Sequence, residues 1–137
     1  MLANGATLGY KEKAADAAYK DLPGLREIPE MGVSTEKVEN TVLTAANKTY
    51  ENGIGDPGDL VYKFLYDNAK ADSPYRVLRK MQEDGKTLNW QEKLSDGTTT
   101  EWEGQVSVKR TGGSVNGLLE FNATITIASG MTVTDPA

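Results

Sequence analysis

The chain of 137 residues contains neither cysteine nor histidine, and these two absences remove most of the chemistry open to a small domain. Without cysteine there can be no disulfide, no thiolate nucleophile and no cysteine-based zinc site. Without histidine the usual general base near neutral pH and the commonest metal ligand are missing. Only carboxylates, lysine, tyrosine and serine remain for catalysis, so we expect no enzyme, no cofactor and no bound metal.

Basic residues and long apolar runs are also scarce. Lysines and arginines number 15 against 20 aspartates and glutamates, a formal charge of −5, whereas a nucleic-acid binder needs a basic surface. No stretch approaches the ~18 apolar residues of a membrane span, and the N-terminus lacks the basic and apolar regions of a signal peptide. We therefore expect a protein made in the cytosol that binds neither membranes nor nucleic acid specifically.

Alternation of polar and apolar residues is clearest in the C-terminal half. In residues 101–109 the even positions are apolar or small, and in residues 119–127 the odd positions are apolar. Strict period two predicts two strands, each with one buried and one wet face. Residues 111–117, rich in glycine, are predicted to join them as a hairpin loop.

A third strand is predicted at residues 86–94, with Trp90 on its apolar side and Glu92 as an interruption. A two-residue turn into the next strand would place Trp90 on the polar face of its neighbour. A three-residue loop that ends with Gly97 in the left-handed conformation instead sets Trp90 opposite Trp102. We therefore predict this loop and this cross-strand pair.

One helix is marked at both ends. Asp72 and Ser73 offer a cap, Pro74 suits the first helical position, and Gly85 suits the end. An apolar stripe runs between them. Its members are Tyr75, Val77, Leu78 and Met81. The pattern predicts a helix over about 74–84.

Further strands are predicted at 60–67, 6–11 and 36–43, with a broken one at 19–28. The fold class that follows is mainly β, an antiparallel β sandwich or barrel of about six to eight strands with one flanking α-helix. The length suits a single domain over 1–137.

Residues 53–58 have the glycine spacing G-x-G-x-x-G of a dinucleotide-binding loop. That loop works only when a helix follows it, whereas a strand is predicted here. Pro57 removes a donor, and Asp56 and Asp59 place negative charge where a phosphate would bind. Calcium bound by these carboxylates and Glu51 is a second possibility, but the spacing matches no known calcium loop. Turn chemistry ahead of a strand explains the segment.

The segment 40–59 is long for a connection between two strands, and such loops are usually functional or disordered. Its apolar residues, Val42, Leu43, Tyr50 and Ile54, need something to bury them. Either the flanking strands continue into a projecting hairpin, or the segment lies against another subunit.

At this segment the sequence resembles the major tail tube proteins of long-tailed bacteriophages. The likeness rests on "EKVENTVLTAANKTYENGIGDPGDLVYKFLYDN" (36–68), "SPYRVLRKM" (73–81) and "LPGLREIPE" (22–30), and it extends over essentially the whole chain. The resemblance implies a β sandwich with a flanking helix whose copies form hexameric rings. These rings stack into a virion tail tube that delivers viral DNA, with no catalytic motif.

The resemblance also implies an N-terminal arm at about 1–16 and an assembly loop at about 40–59, both contacting neighbouring copies. The candidate assembly contacts are Thr41, Leu43, Thr44, Asn47, Lys48, Tyr50, Ile54 and Asp56. Further partners would be the tape measure, tail terminator and distal tail proteins. DNA would pass without specific binding.

An acidic wall repels DNA, whereas a basic wall would hold it. Glu101, Glu103 and Glu120 on the polar strand faces are therefore possible lumen residues, although an ordinary solvated face explains them equally well. Two alternatives stay open. One is a type VI secretion-like tube protein, which shares the architecture. The other is a monomeric carbohydrate-binding β sandwich with Trp90 and Trp102 as a stacking platform.

Overall fold

A computed structural model describes residues 1–12, 18–32, 34–43, 46–47, 50–56 and 58–136. Its elements are β1 (Thr7–Lys11), β2 (Lys20–Asp21), β3 (Leu25–Glu27), β4 (Ser34–Glu39), β5 (Tyr50–Asp56), β6 (Asp59–Leu65), α1 (Pro74–Asp84), β7 (Leu88–Lys93), β8 (Thr99–Arg110), β9 (Glu120–Ile127) and β10 (Thr132–Thr134).

Eight of these strands form one antiparallel sheet in the order β2-β1-β7-β8-β9-β6-β3, with β10 also paired to β8. The two end strands of this path, β2 and β3, are joined by residues 22–24 alone. Such a link spans at most ~14 Å. The ends of the sheet must therefore come together, so the sheet curls into a nearly closed barrel.

Period-two alternation directs one face of every long strand into the barrel. Phe64 and Phe121 stack there with ring centroids 5.2 Å apart, and Tyr75 from α1 meets Phe121 edge-on at 5.3 Å. The buried apolar residues are Leu8, Tyr10, Leu22, Leu60, Tyr62, Phe64, Leu78, Met81, Leu88, Trp90, Trp102, Val106, Phe121, Ala123 and Ile125. The mainly β fold with one helix, predicted from the sequence, is confirmed.

The predicted register between β7 and β8 is also confirmed. Trp90 lies opposite Trp102. The Leu94 N–H donates to the Thr98 carbonyl at 2.9 Å, which leaves three residues in the loop. Gly97 has a φ of +96°, a backbone conformation that favours glycine. The turn therefore fixes the pairing, as its chemistry predicts.

Helix α1 has the predicted bounds, and the left-handed Gly85 ends it at φ +65°. The predicted side-chain cap is wrong, because the Ser73 hydroxyl accepts from the Lys70 N–H at 3.0 Å instead of capping the helix. The helix lies along β8, where Gln82 Oε1 accepts from the Val108 N–H at 2.8 Å. The helix thus covers the part of β8 that extends beyond its pairing with β7. Among the described residues no helix is long and apolar enough to span a membrane.

The segment 40–59 is not a single loop between two strands. It contains β5, which pairs antiparallel with β4 as a separate two-stranded sheet. The strand predicted at 36–43 ends at Glu39, and β6 pairs with β9 and β3 rather than with β4. A hairpin, one of the two alternatives left open, is present, but its second strand is β5 rather than β6; contact with another subunit stays a prediction. We call β4, β5 and residues 40–49 the assembly hairpin.

Candidate functional site

The assembly hairpin holds the candidate contacts that the structure describes. Tyr50, Ile54 and Asp56 belong to β5, and Thr41, Leu43 and Asn47 belong to the connection between its strands. Thr44 and Lys48 lie outside the described residues. The described candidates therefore lie together in one hairpin, and their role in assembly stays a prediction.

The connection between β4 and β5 exposes apolar side chains. Leu43 is fully exposed, and 63% of Val42 is exposed. Within the described part of the chain, β4 and β5 make extensive backbone contact with each other and none of comparable extent with the barrel or α1. The two adjacent apolar side chains are therefore left to solvent in the single subunit.

The outer face of β8 and β9 is polar, and it carries the possible lumen residues. Glu101 and Glu103 lie two positions apart on β8. Glu120 lies at the far end of the pair, where its carbonyl accepts from the Thr111 N–H at 2.9 Å. Eight residues of strand separate Glu103 from that point, roughly 25 Å. The structure therefore brings two of the three glutamates together and sets the third apart.

Partners further distinguish these carboxylates. Glu120 forms an ion pair with Arg26 at 3.1 Å, and Glu101 accepts from the Gln91 side chain at 3.1 Å. Lys63 and Lys109 also point outward from this face. Because surface ion pairs are weak and neutralise one another's field, this face is polar with mixed charge rather than a continuous acidic wall.

A groove opens beside the start of α1, and residues 22–24 and 117–119 form two of its walls. It encloses about 600 Å³ and is lined by Pro23, Gly24, Leu65, Tyr66, Asp67, Pro74, Gly117, Leu118 and Leu119. Leu118 is 64% exposed, and Leu65 and Leu119 are each 37% exposed. No local sequence pattern predicts this groove, and the alternation in residues 119–127 predicted Leu119 on the buried face of a strand, whereas β9 begins one residue later.

Among the described residues, the barrel interior contains the carboxyl group of Glu92, which interrupts the apolar side of its strand in the sequence. Glu92 is buried, and the Tyr62 hydroxyl donates a hydrogen bond to it. Burial raises the pKa of Glu92, although the bond from Tyr62 opposes the shift. Burial and the same carboxylate raise the pKa of Tyr62. Two strands lie between β6 and β7 in the sheet, so the bond crosses the interior and ties opposite walls.

Two alternative sites find no support in the geometry. A sugar-stacking platform requires exposed rings, yet Trp90 is fully buried and Trp102 is only 3% exposed. The Trp90 indole N–H donates to the Gly104 carbonyl at 3.0 Å, as a core tryptophan does. Of the proposed calcium ligands, the side chains of Glu51 and Asp56 lie outside those described, and the described residues contain no acidic cluster suited to a metal.

Comparison of the sequence with protein families gives one match. The family described as phage tail tube, TTP, lambda-like matches residues 1–111. No curated protein matches the chain.

Comparison of the fold with solved structures gives several tail components. The tail of an empty gene transfer agent particle, refined with C6 symmetry, superposes with a TM-score of 0.70 at 19% identity, covering 93% of this chain and 95% of that one. The anti-feeding prophage baseplate, 6-fold symmetrised, gives 0.67 at 12%, covering 95% and 91%. The SPP1 tail tube gives 0.63 at 12%, covering 96% and 77%. These likenesses establish the shared fold.

Proposed function

Because the chain belongs to the lambda-like phage tail tube family and is a structural subunit of the virion tail, we propose that its copies form hexameric rings that stack into a DNA conduit. The sixfold symmetry of a tail and of a baseplate that contain the same fold supports the number of copies in a ring. The subunit performs no chemistry of its own. Its function is to present surfaces to other copies.

The assembly hairpin is the observation on which this proposal depends. Within the described residues its strands make no extensive backbone contact with the barrel, and it exposes Val42 and Leu43. Isolated hairpins are marginally stable, and exposed apolar pairs of this kind mark interaction sites. A neighbouring copy supplies both the missing support and the missing cover.

A conduit must let DNA slide, so its wall should neither attract nor trap phosphate. The outer face of β8 and β9 fits this need, because polar uncharged side chains accompany Glu101 and Glu103 there. These side chains are Gln105, Ser107, Asn122, Thr124 and Thr126. We assign this face to the lumen, with Glu120 at its margin beside Arg26.

The ends of the tube need other proteins. A stack of identical rings leaves one ring face without a partner ring at each end of the tube, and it encloses a lumen. The tape measure, tail terminator and distal tail proteins are the partners proposed for these places.

Deletion of residues 44–56 tests the proposal. The barrel elements lie outside this segment, so the variant should remain folded by circular dichroism, yet it should fail to form tubes under negative-stain microscopy. A glycine–serine segment of equal length is the matched control for chain connectivity, and it should fail in the same way. If the deletion variant formed tubes like those of the natural chain, the hairpin would not be the connector.

A further inference from the structure

We propose that the groove beside α1 is the receptor for Val42 and Leu43 of a second copy of this chain. The inference rests on the proposed function, because it names the surface that the assembly hairpin grips. The groove and the hairpin tip are different surfaces of one chain, so the contact is head-to-tail.

Most of the groove is formed by loops, and backbone hydrogen bonds tie these loops to one another and to the end of β6. The Leu65 N–H donates to the Gly24 carbonyl at 2.9 Å, and the Tyr66 N–H donates to the Leu119 carbonyl at 3.0 Å. These two bonds hold three walls, the turn before β3, the end of β6 and the approach to β9, in fixed relation. A preformed site loses little conformational freedom when it is filled.

The chemistry of the groove matches an aliphatic occupant. Leu65, Leu118 and Leu119 line it with exposed methyl groups, and Pro23 and Pro74 add rigid rings. Its volume is about 600 Å³, and exposed apolar surface of this kind marks interaction sites. The lining also contains the exposed Asp67, so these leucines and prolines form the aliphatic part of the groove.

The hairpin tip is the occupant that fits. Val42 and Leu43 are adjacent, aliphatic and largely exposed. In the described part of the chain the strands of their hairpin make no extensive backbone contact with the barrel, and both side chains are left largely to solvent, so they can be covered by another copy. The other exposed aliphatic end, Met1 and Leu2, precedes residues 3–6, which already line a separate hollow with residues 25–28 of the same subunit.

Each copy supplies one such tip and one such groove, so tips and grooves occur in equal numbers in any assembly. A head-to-tail contact whose rotation closes makes a ring in which every tip and every groove is used. If the rotation does not close, the same contact makes an open helical array. The ring leaves no groove unfilled, and the open array leaves a groove unfilled only at a free end. Assembly therefore covers an apolar surface that a lone subunit would expose to water.

A cysteine pair measures the contact directly, because the natural chain has no cysteine and therefore no background. Leu43→Cys combined with Leu118→Cys should give, on mild oxidation of assembled protein, a ladder of covalent multimers on a non-reducing gel. Disulfide formation requires Cα atoms within about 7 Å. Leu43→Cys with Val133→Cys is the matched control, since Val133 is also exposed but lies on β10, and it should give no ladder.

Three outcomes of the cross-linking experiment would overturn the inference. They are normal tubes without a ladder, a cross-linked monomer, and a ladder only from Leu2→Cys with Leu118→Cys, which would make the N-terminus the occupant. A Leu118→Asp variant that still forms tubes as readily as Val133→Asp would also overturn it.

The failure of the proposed function is a separate result. If the natural chain forms no tubes at all, mixing the Leu43→Cys chain with the Leu118→Cys chain in solution still tests the contact. Covalent dimers from this mixture, absent when Val133→Cys replaces Leu118→Cys, would support the inference; their absence would contradict it.

Discussion

The barrel and the assembly hairpin follow opposite rules within one chain. In the barrel, aromatic rings pack face to face and edge to face, and even the Trp90 indole and the Glu92 carboxyl have hydrogen-bond partners. At the tip of the hairpin, Val42 and Leu43 face water. The difference teaches that the barrel core is formed within a single copy, whereas the tip of the hairpin is covered only in an assembly.

This division predicts that stability and assembly respond to different substitutions. A fully buried aromatic side chain contributes several kcal/mol to a domain whose total stability is only about 5–15 kcal/mol. An exposed side chain contributes almost nothing to the free subunit. Substitutions can therefore be ranked by the loss of unfolding free energy that each should cause.

The largest loss should follow Trp90→Ala. This change empties the centre of the barrel and removes the hydrogen bond to the Gly104 carbonyl. We expect the free energy of unfolding to fall by about 3–5 kcal/mol, measured by urea denaturation of the unassembled protein. Val133→Ala, on the exposed β10, should change it by less than about 0.5 kcal/mol. Equal effects of the two variants would mean that the barrel does not supply the stability.

Gly104→Ala should be the next most damaging change. A Cβ atom at this position would lie 2.5 Å from the Thr126 carbonyl oxygen, a backbone atom that cannot move without disturbing β9. Overpacking of this kind costs about 1–3 kcal/mol. Gly112→Ala is the matched control, because nothing lies within 4 Å of its Cβ position. The same denaturation experiment should rank the two, and a neutral Gly104→Ala would contradict the packing between β8 and β9.

Glu92→Gln should have a smaller effect that depends on pH. Because burial raises the pKa of Glu92 above its ordinary value of 4.5, the folded state keeps a proton that the unfolded chain releases. The stability linked to this proton is complete below pH 4.5 and is lost as the pH rises through the raised pKa. Glutamine keeps an acceptor for the Tyr62 hydroxyl but cannot ionise.

Thermal melting of both proteins across the pH range measures this effect. We expect the natural chain to lose stability relative to Glu92→Gln as the pH rises above 4.5, with the gap largest near neutral pH. Taking the difference cancels the other titrating groups, including Asp96, whose pKa the Thr98 N–H lowers and whose stabilising effect has the opposite sign with pH. A gap that stays constant with pH would show that Glu92 ionises equally in both states.

Much of the barrel could be predicted from the sequence, because local rules govern it. In residues 101–109 one face is wet and one is dry, so period two identifies the strand. The loop before it has a glycine at the position that needs a positive φ, and this fixes Trp90 opposite Trp102. The broken strand predicted at 19–28 corresponds to β2 and β3 for a similar reason, since Pro23 and Gly24 separate them.

The features that the sequence does not predict depend on distant partners. β5 contains two glycines and no alternation, and it is a strand because β4 pairs with it. Glu92 is buried beside its hydrogen-bond partner Tyr62, which lies 30 positions away in the sequence, so no local pattern reveals the pair. The groove unites segments near residues 23, 65 and 118, which no local pattern connects. Assembly contacts are further still from local rules, since they depend on a second molecule.

The smallest effect on the free subunit should follow Leu43→Asp, and this small effect is what tests the comparison most directly. Leu43 is fully exposed, so its replacement should change the free energy of unfolding by less than about 0.5 kcal/mol. In an assembly, the carboxylate introduced by Leu43→Asp would be buried against another copy and would lose its hydration without gaining a partner. Tube formation should therefore be lost while the barrel stays intact. Urea denaturation and negative-stain microscopy of one preparation measure both quantities. If Leu43→Asp destabilised the free subunit by more than 1 kcal/mol, the tip would pack on its own barrel, and the separation between a self-sufficient barrel and a dependent hairpin would be wrong.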